Sequence, residues 1–385
     1  MNGGGAAGEA WGGPSLRLEA LELIEVALPL VRPFRTSFGE ERVKRALLVR
    51  ARTDGPDGWG ECVAAPEPRY SEEWLEGAWF AIREWIGPAV LAGGPVDDPA
   101  QVEKRWSWVR GHRMAKAAVE AAVVDAWLRA AGRSLREFLG GVQDRVPCGV
   151  SVGISHPVEA TLEEIEGYVA EGYQRVKVKI EPGHDVELVR AVREAFPNID
   201  LSVDANGAYR LADTRVFVAL DEFDLLMVQQ PFHPEDFVGH ARLQREIRTA
   251  VCLDESIRSA RDVDTAIALR ACMVFNLKPG RVGGLQESLR VHDRVQASSR
   301  LLRVGGMRET GVGRALNLAV ASLPAVGLPG GTSGSHRCFE EDLTRPFVLE
   351  PDGTMEVPRG PGIGVTPLPD RLAACTARTE TVRAG

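Results

Sequence analysis

At 385 residues, 44% of them apolar, the chain is long enough for two domains, or for one large barrel with an appended domain, and it can fill a substantial core. Its net charge of −8 comes from interspersed residues of both signs, with no Lys/Arg stripe to follow a phosphate backbone, which argues against nucleic acid as a partner. The six cysteines (Cys62, Cys148, Cys252, Cys272, Cys338, Cys375) are scattered without a CxxC pair and point to a reducing cytoplasm. The opening MNGGGAAGEAWGGPS lacks the basic start and apolar run of a signal peptide or membrane span, so residues 1–14 read as a disordered tail.

From Leu16 to about Thr53, alternating apolar residues in LEALELIEVALPLV and RALLVRART predict antiparallel strands flanking a mobile loop, PFRTSFGEER. Helical periodicity follows around Glu73 to Leu91, Val102 to Val109 and Met114 to Ala131. Together these make an α+β capping domain over residues 15–145, a common domain size. Beyond it, β-rich runs begin at Cys148, Arg175, Asp200, Leu225, Ala250, Met273 and Leu301, about 25 residues apart. Segments of helical period such as HDVELVRAVREAF lie between them. Seven strand–helix units in series close most naturally into a parallel α/β barrel of the (β/α)7β type over residues 146–338, with 339–385 returning to the capping domain. A doubly wound sheet competes, but SVGISHPVE lacks the glycine-rich turn it would carry after its first strand.

In a parallel barrel, polar residues at the C-terminal ends of strands are the candidates for chemistry. Here they are Lys177 and Lys179, Asp204 and Asn206, Gln229 and Gln230, Asp254 and Glu255, and Lys278. Lys177 and Lys179 are two apart, so both face one side, and with Val176, Val178 and Ile180 on the other, that side is the barrel interior. In isolation, KVK would read as a solvated edge strand. Inside a barrel the carboxylates and Lys278 supply partners for buried ammonium groups. Asp204 and Asp254 could each be a helix N-cap, or could converge on one hard cation such as Mg²⁺.

Six motifs in order, KVKIEPGHD, VDANGAY, QQP, CLDESI, NLKPGRVGG and GGMRETGVGR, make the chain resemble the enolase superfamily. The resemblance lies within the muconate-lactonizing subgroup and is strongest to the o-succinylbenzoate synthase / N-acylamino acid racemase family, running from PFRTSFG to PFVLEPDG. It implies a lyase or racemase that removes a proton α to a carboxylate. Lys179 and Lys278 would act on opposite faces of the substrate, with Lys177 in support, and Asp204, Gln229 and Asp254 would hold Mg²⁺ or Mn²⁺. Arg281 matches an arginine of racemase-capable members, and Phe34 to Gly39 with Tyr70 match loops that close over the substrate. Ser151, Asn206, Arg308 and Glu309 complete the expected substrate-binding set with Phe34 and Phe38. A small carboxylate is the expected ligand, no membrane is expected as a partner, and a homo-oligomer is the expected assembly.

The chain also departs from its family. The second metal ligand is Glu in an EQP tripeptide there and Gln229 here, so metal affinity should fall for want of one negative charge. Arg303 and Arg308 stand where apolar residues are expected. Arg308 is expected to face the substrate, with a surface pairing to Glu309 as its alternative. Arg303 is as compatible with an outward, salt-bridged place as with the pocket. These changes suit a more anionic substrate or an arginine partly replacing the metal. His336 reads as a surface residue. Three readings stand: a metal-dependent lyase or racemase, a divergent member performing another elimination or epimerisation, and a non-catalytic relative.

Overall fold

The computed structural model describes residues 13–384, so most of the tail expected at 1–14 lies outside the described residues. Strands β1 (Leu18–Thr36) and β2 (Gly39–Thr53) pair antiparallel, with Leu23 opposite Val49, and bury Leu21, Leu23, Val26 and Leu28. The expected PFRTSFGEER loop is instead the far end of this hairpin. The ladder breaks between Pro29 and Phe34, where Pro29 and Pro33 have no N–H to offer, and resumes with Phe34 opposite Glu41. β3 (Gly58–Cys62) extends the sheet beside the buried helix Arg113–Ala130. That packing needs glycine, since a Cβ on Gly60 would come within 2.0 Å of the Ala118 carbonyl oxygen.

A short ribbon pairs β4 (Arg145–Pro147) with a strand at Thr354–Glu356. A seven-stranded parallel sheet follows in chain order: β5 (Gly149–Val152), β6 (Arg175–Lys179), β7 (Asp200–Asp204), β8 (Met227–Gln229), β9 (Val251–Leu253), β10 (Val274–Leu277) and β11 (Leu301–Val304). Amphipathic helices fill the gaps, as in Val186–Ala195, which turns Leu188, Val189 and Val192 inward. Residues 326–331 close the ring. Gly331 N donates to Val304 O at 2.8 Å on one side, and Gly149 N to Gly330 O at 2.9 Å on the other. The last strand, Thr376–Arg383, adds to β1 in the capping sheet, with Glu380 opposite Leu23. Among the described residues no helix is long and apolar enough to cross a membrane.

Candidate active site

Alternation along β6 sends Arg175, Lys177 and Lys179 into the barrel and Val176 and Val178 against the helices. The parallel register then sets Lys179 beside Asp204 and Asp204 beside Gln229. Both lysines donate to one oxygen, Asp204 Oδ2, at 2.6 Å from Lys177 and 2.7 Å from Lys179. Across the barrel, Lys278 Nζ lies 3.0 Å from Asp254 Oδ2 and donates to the Tyr70 hydroxyl at 3.0 Å. Arg281 pairs with Asp254 Oδ1 and donates to the same hydroxyl at 2.9 Å. Asn206, in the left-handed region at φ +45°, accepts from Lys179 and donates to Glu255 Oε1 at 2.7 Å.

These groups floor a cavity of about 370 Å³ between the barrel mouth and the capping hairpin. Lys177, Lys179, Asp204, Asn206 and Lys278 line it from below, Phe34, Phe38 and Tyr70 from the cap, and Ser151, Arg308 and Glu309 from the wall. Gln229, Asp254 and Arg281 lie among the buried polar residues under this floor.

Burial works against every charge here, and the partners decide the outcome. It lowers the Lys177 ammonium to about 7, with Lys179 and Arg303 pushing the same way and Asp204 resisting. Burial would raise both aspartates, but Lys177 and Lys179 hold Asp204, and Lys278 and Arg281 hold Asp254, well below the usual carboxylate range. For Lys278 burial is the largest single effect and lowers it, but Asp254, Tyr70 and Glu255 together outweigh burial and hold the ammonium above its ordinary value. Glu255, buried beside Asp254, is raised to about 7.

Superfamily members generally use Mg²⁺, and Asp204, Gln229 and Asp254 do converge, but their donors do not fit a divalent cation. The Gln229 amide nitrogen points between the aspartates, 2.9 Å from Asp204 Oδ2 and 2.5 Å from Asp254 Oδ2. Its oxygen is turned away and accepts from Arg303 Nη1 at 2.9 Å and Lys177 Nζ at 3.2 Å. Reversing the amide would set an NH₂ group against two cations. A hard cation needs oxygens, and among the described residues no three His, Cys, Asp or Glu side chains converge to hold one.

The two family-atypical arginines have different surroundings. Arg303 is neither on the surface nor in the cavity wall: it is buried inside the barrel, because β11 alternates inward at that position. Arg308 does line the cavity, yet its partner is Glu41 on β2 rather than Glu309, and its guanidinium stacks 4.3 Å from the Phe34 ring. Glu309 is engaged locally, accepting from Met307 N at 2.8 Å. His336 pairs with Glu171 at 3.0 Å, away from the cavity lining, while its neighbour Arg337 lines the cavity and stacks over Phe34. Lys44, Glu41 and Arg337 were not singled out from sequence. Only the hairpin brings Glu41 and Lys44 to the mouth: Lys44 pairs opposite Leu28 just before the prolines, and Glu41 opposite Phe34 where the ladder resumes beyond them.

Comparison with known proteins agrees over nearly the whole chain. Residues 160–371 match the family "Enolase C-terminal domain-like" and residues 20–140 the "Mandelate racemase / muconate lactonizing enzyme, N-terminal domain". An N-succinylamino acid racemase from an Amycolatopsis species is 51% identical across 94% of this chain and 98% of its own. The o-succinylbenzoate synthase of Geobacillus kaustophilus is 44% identical across 91% of this chain and 93% of its own. An enolase-superfamily structure from Listeria innocua superposes with a TM-score of 0.90 at 40% identity, covering 96% of this chain and 99% of that one. The chain is therefore an enzyme of the enolase superfamily, in its mandelate racemase / muconate lactonizing branch.

Proposed function

We propose that the chain removes the proton α to the carboxylate of a small, doubly anionic acid of the N-succinylamino acid or o-succinylbenzoate-precursor type. The observation that carries this is the entry of Lys179 and Lys278 into one cavity from β6 and from the end of β10, four strands apart in the sheet order and so on opposite sides of the mouth. Lys179 acts as base on one face. Lys278, kept protonated by Asp254, stabilises the enediolate with its charge and returns a proton on the other face. Lys177 stands behind Lys179 on their shared carboxylate oxygen and, with burial lowering it to about 7, can give up its proton and relieve the crowding of charge. Racemisation uses both faces and syn-dehydration needs one base, so either product fits the same arrangement.

A substrate with a second carboxylate is supported by the lining, which carries nine Lys and Arg side chains against five Asp and Glu. Arg308, Lys44 and Arg337 all line this cavity, with Arg308 and Arg337 over the Phe34 ring and Phe38 adding apolar surface. The names of the similar proteins point to succinylated acids as well. The Gln229 arrangement supports weak or absent binding of Mg²⁺ and Mn²⁺. Six free thiols among the described residues support a reducing cytoplasm, and a homo-oligomer is the assembly proposed.

The test is α-proton exchange in D₂O over a panel of N-acylamino acids and succinylated acids, with and without divalent metal. Exchange of the succinylated compounds without added metal is the expected result. Exchange that strictly requires Mg²⁺ or Mn²⁺ would restore an ordinary metal-dependent enzyme, and no exchange would leave a non-catalytic relative.

A further inference from the structure

Arg303 has no part in the chemistry above, and its burial asks for a reason. It is 1% exposed, and its Nε finds no hydrogen-bond partner. Burying a guanidinium without a facing carboxylate is costly, so its single strong contact to the Gln229 oxygen must matter to the site. Gln229 is fully engaged: its oxygen accepts from Arg303 and Lys177, and its nitrogen donates one hydrogen to each aspartate. The direction of the amide follows from Arg303, because a cation at 2.9 Å admits only the oxygen on its side.

We propose that Gln229 and Arg303 form one unit standing where a carboxylate and its divalent cation would, with Arg303 as the positioning residue that locks the amide. A carboxylate with a divalent cation carries one net positive charge; an amide with a guanidinium carries the same. The amide NH₂ ties Asp204 to Asp254, as a bridging cation would, and the guanidinium supplies the missing charge from beneath. The two departures from the family are then a single exchange, and undoing one alone does not restore a metal site. Glutamate at 229 facing Arg303 would form a buried ion pair with it instead of turning to a metal. This inference rests on the weak-metal reading above and names its cause.

The experiment is Mn²⁺ titration of the full chain, followed by calorimetry and by the paramagnetic resonance signal of free Mn²⁺. Wild type, Gln229→Glu, Arg303→Met and the double variant are compared, with folding checked by circular dichroism. We expect no binding by wild type below millimolar Mn²⁺ and little gain in either single variant. The double variant should gain roughly 100-fold or more over wild type and exceed the product of the two single effects, since a unit charge at ligand distance is worth about two decades and coupled sites are not additive. Micromolar binding by wild type would overturn both the unit and the weak-metal reading. Tight binding by Gln229→Glu alone, a comparison that needs no change at Arg303, would overturn the unit and leave the weak-metal reading standing. A folded double variant that binds no better than wild type would do the same.

Discussion

Replacing Arg308 with Leu tests the assignment of the cavity's outer end. Its guanidinium pairs with Glu41, both side chains are about a quarter exposed (27% and 21%), and it stacks on Phe34. In the proposed complex the distal carboxylate of a succinyl group competes with Glu41 for this guanidinium. Losing a charge-assisted hydrogen bond costs about 1.5–3 kcal/mol. The variant also bares Glu41, whose repulsion of a second carboxylate about 5 Å away is on the order of 3 kcal/mol at an effective dielectric of 20, less after screening at so exposed a place. Screening brings the expected loss to roughly 10- to 100-fold in kcat/KM, carried mainly by KM. The assay compares α-proton exchange of the N-succinyl and N-acetyl derivatives of one amino acid. Arg308→Leu should injure the first and leave the second within about threefold, and Arg308→Leu with Glu41→Gln should recover part of the loss. Equal losses on both derivatives, or none on either, would refute the placement of the second carboxylate.

Lys179→Ala and Lys278→Ala should each lower turnover by roughly 10²- to 10⁴-fold while folding persists, because Asp204 keeps Lys177 and Asp254 keeps Arg281 as partners; near-normal turnover in both, beside unchanged melting, would remove the lysines from the chemistry. Phe34→Ala and Phe38→Ala should shift relative kcat/KM across the substrate panel more than they shift the melting temperature, since both rings are only partly buried and face the cavity. Large melting losses with unchanged preference would count against a role for the cap in selection. His240 is a pH-dependent structural element: its Nδ1 bonds Asp236 O at 2.6 Å, its Nε2 accepts from Phe232 N at 3.2 Å, and burial lowers it to about 4. Its folded value lies below the unfolded one, so its contribution is complete above about pH 6.5 and is lost as pH falls towards 4, at most about 3 kcal/mol. Urea melts of His240→Gln should show a flatter stability profile over that window, and an unchanged slope would exclude the residue.

The barrel was legible because its strands are short apolar runs, five of them ending at or just before a polar residue (Lys179, Asp204, Gln229, Asp254, Lys278), and the period of strand and helix repeats along the chain. The ring's closure was not, since residues 326–331 include Gly327, Pro329, Gly330 and Gly331, a turn-like run that joins β5 and β11 through backbone groups alone. The tandem lysines of β6 announced an interior face by alternation, and the structure gives them the partner the sequence required. Glu41 was hidden by the prolines at 29 and 33, which read as the start of a loop although they only interrupt a ladder that resumes beyond them. Arg303 was ambiguous for a different reason. A single arginine in LLRV carries no sign of whether its strand's alternation turns it inward, and only its hydrogen bond to Gln229 inside the barrel shows it.

The two unexpected arginines therefore serve different ends, although sequence alone groups them. At the mouth, Arg308 is matched by a carboxylate on a partly exposed hairpin, an exchangeable pairing that an incoming anion can take over. In the floor, Arg303 is matched by a neutral amide, so its charge is not cancelled. With Lys179 acting as the base, Lys177, Lys278, Arg281 and Arg303 still bond within a network whose ionised acids are Asp204 and Asp254, four cations to two anions when Glu255 is protonated. Such an excess destabilises the empty site, and burial already presses Lys177 to shed its proton. As Lys179 takes the proton the net charge of the site is unchanged, but a second negative charge develops on the substrate oxygens, where the cations already fixed in the barrel can stabilise it. Stabilisation that grows as charge develops is what accelerates a proton abstraction, and here it comes from side chains fixed in the barrel wall.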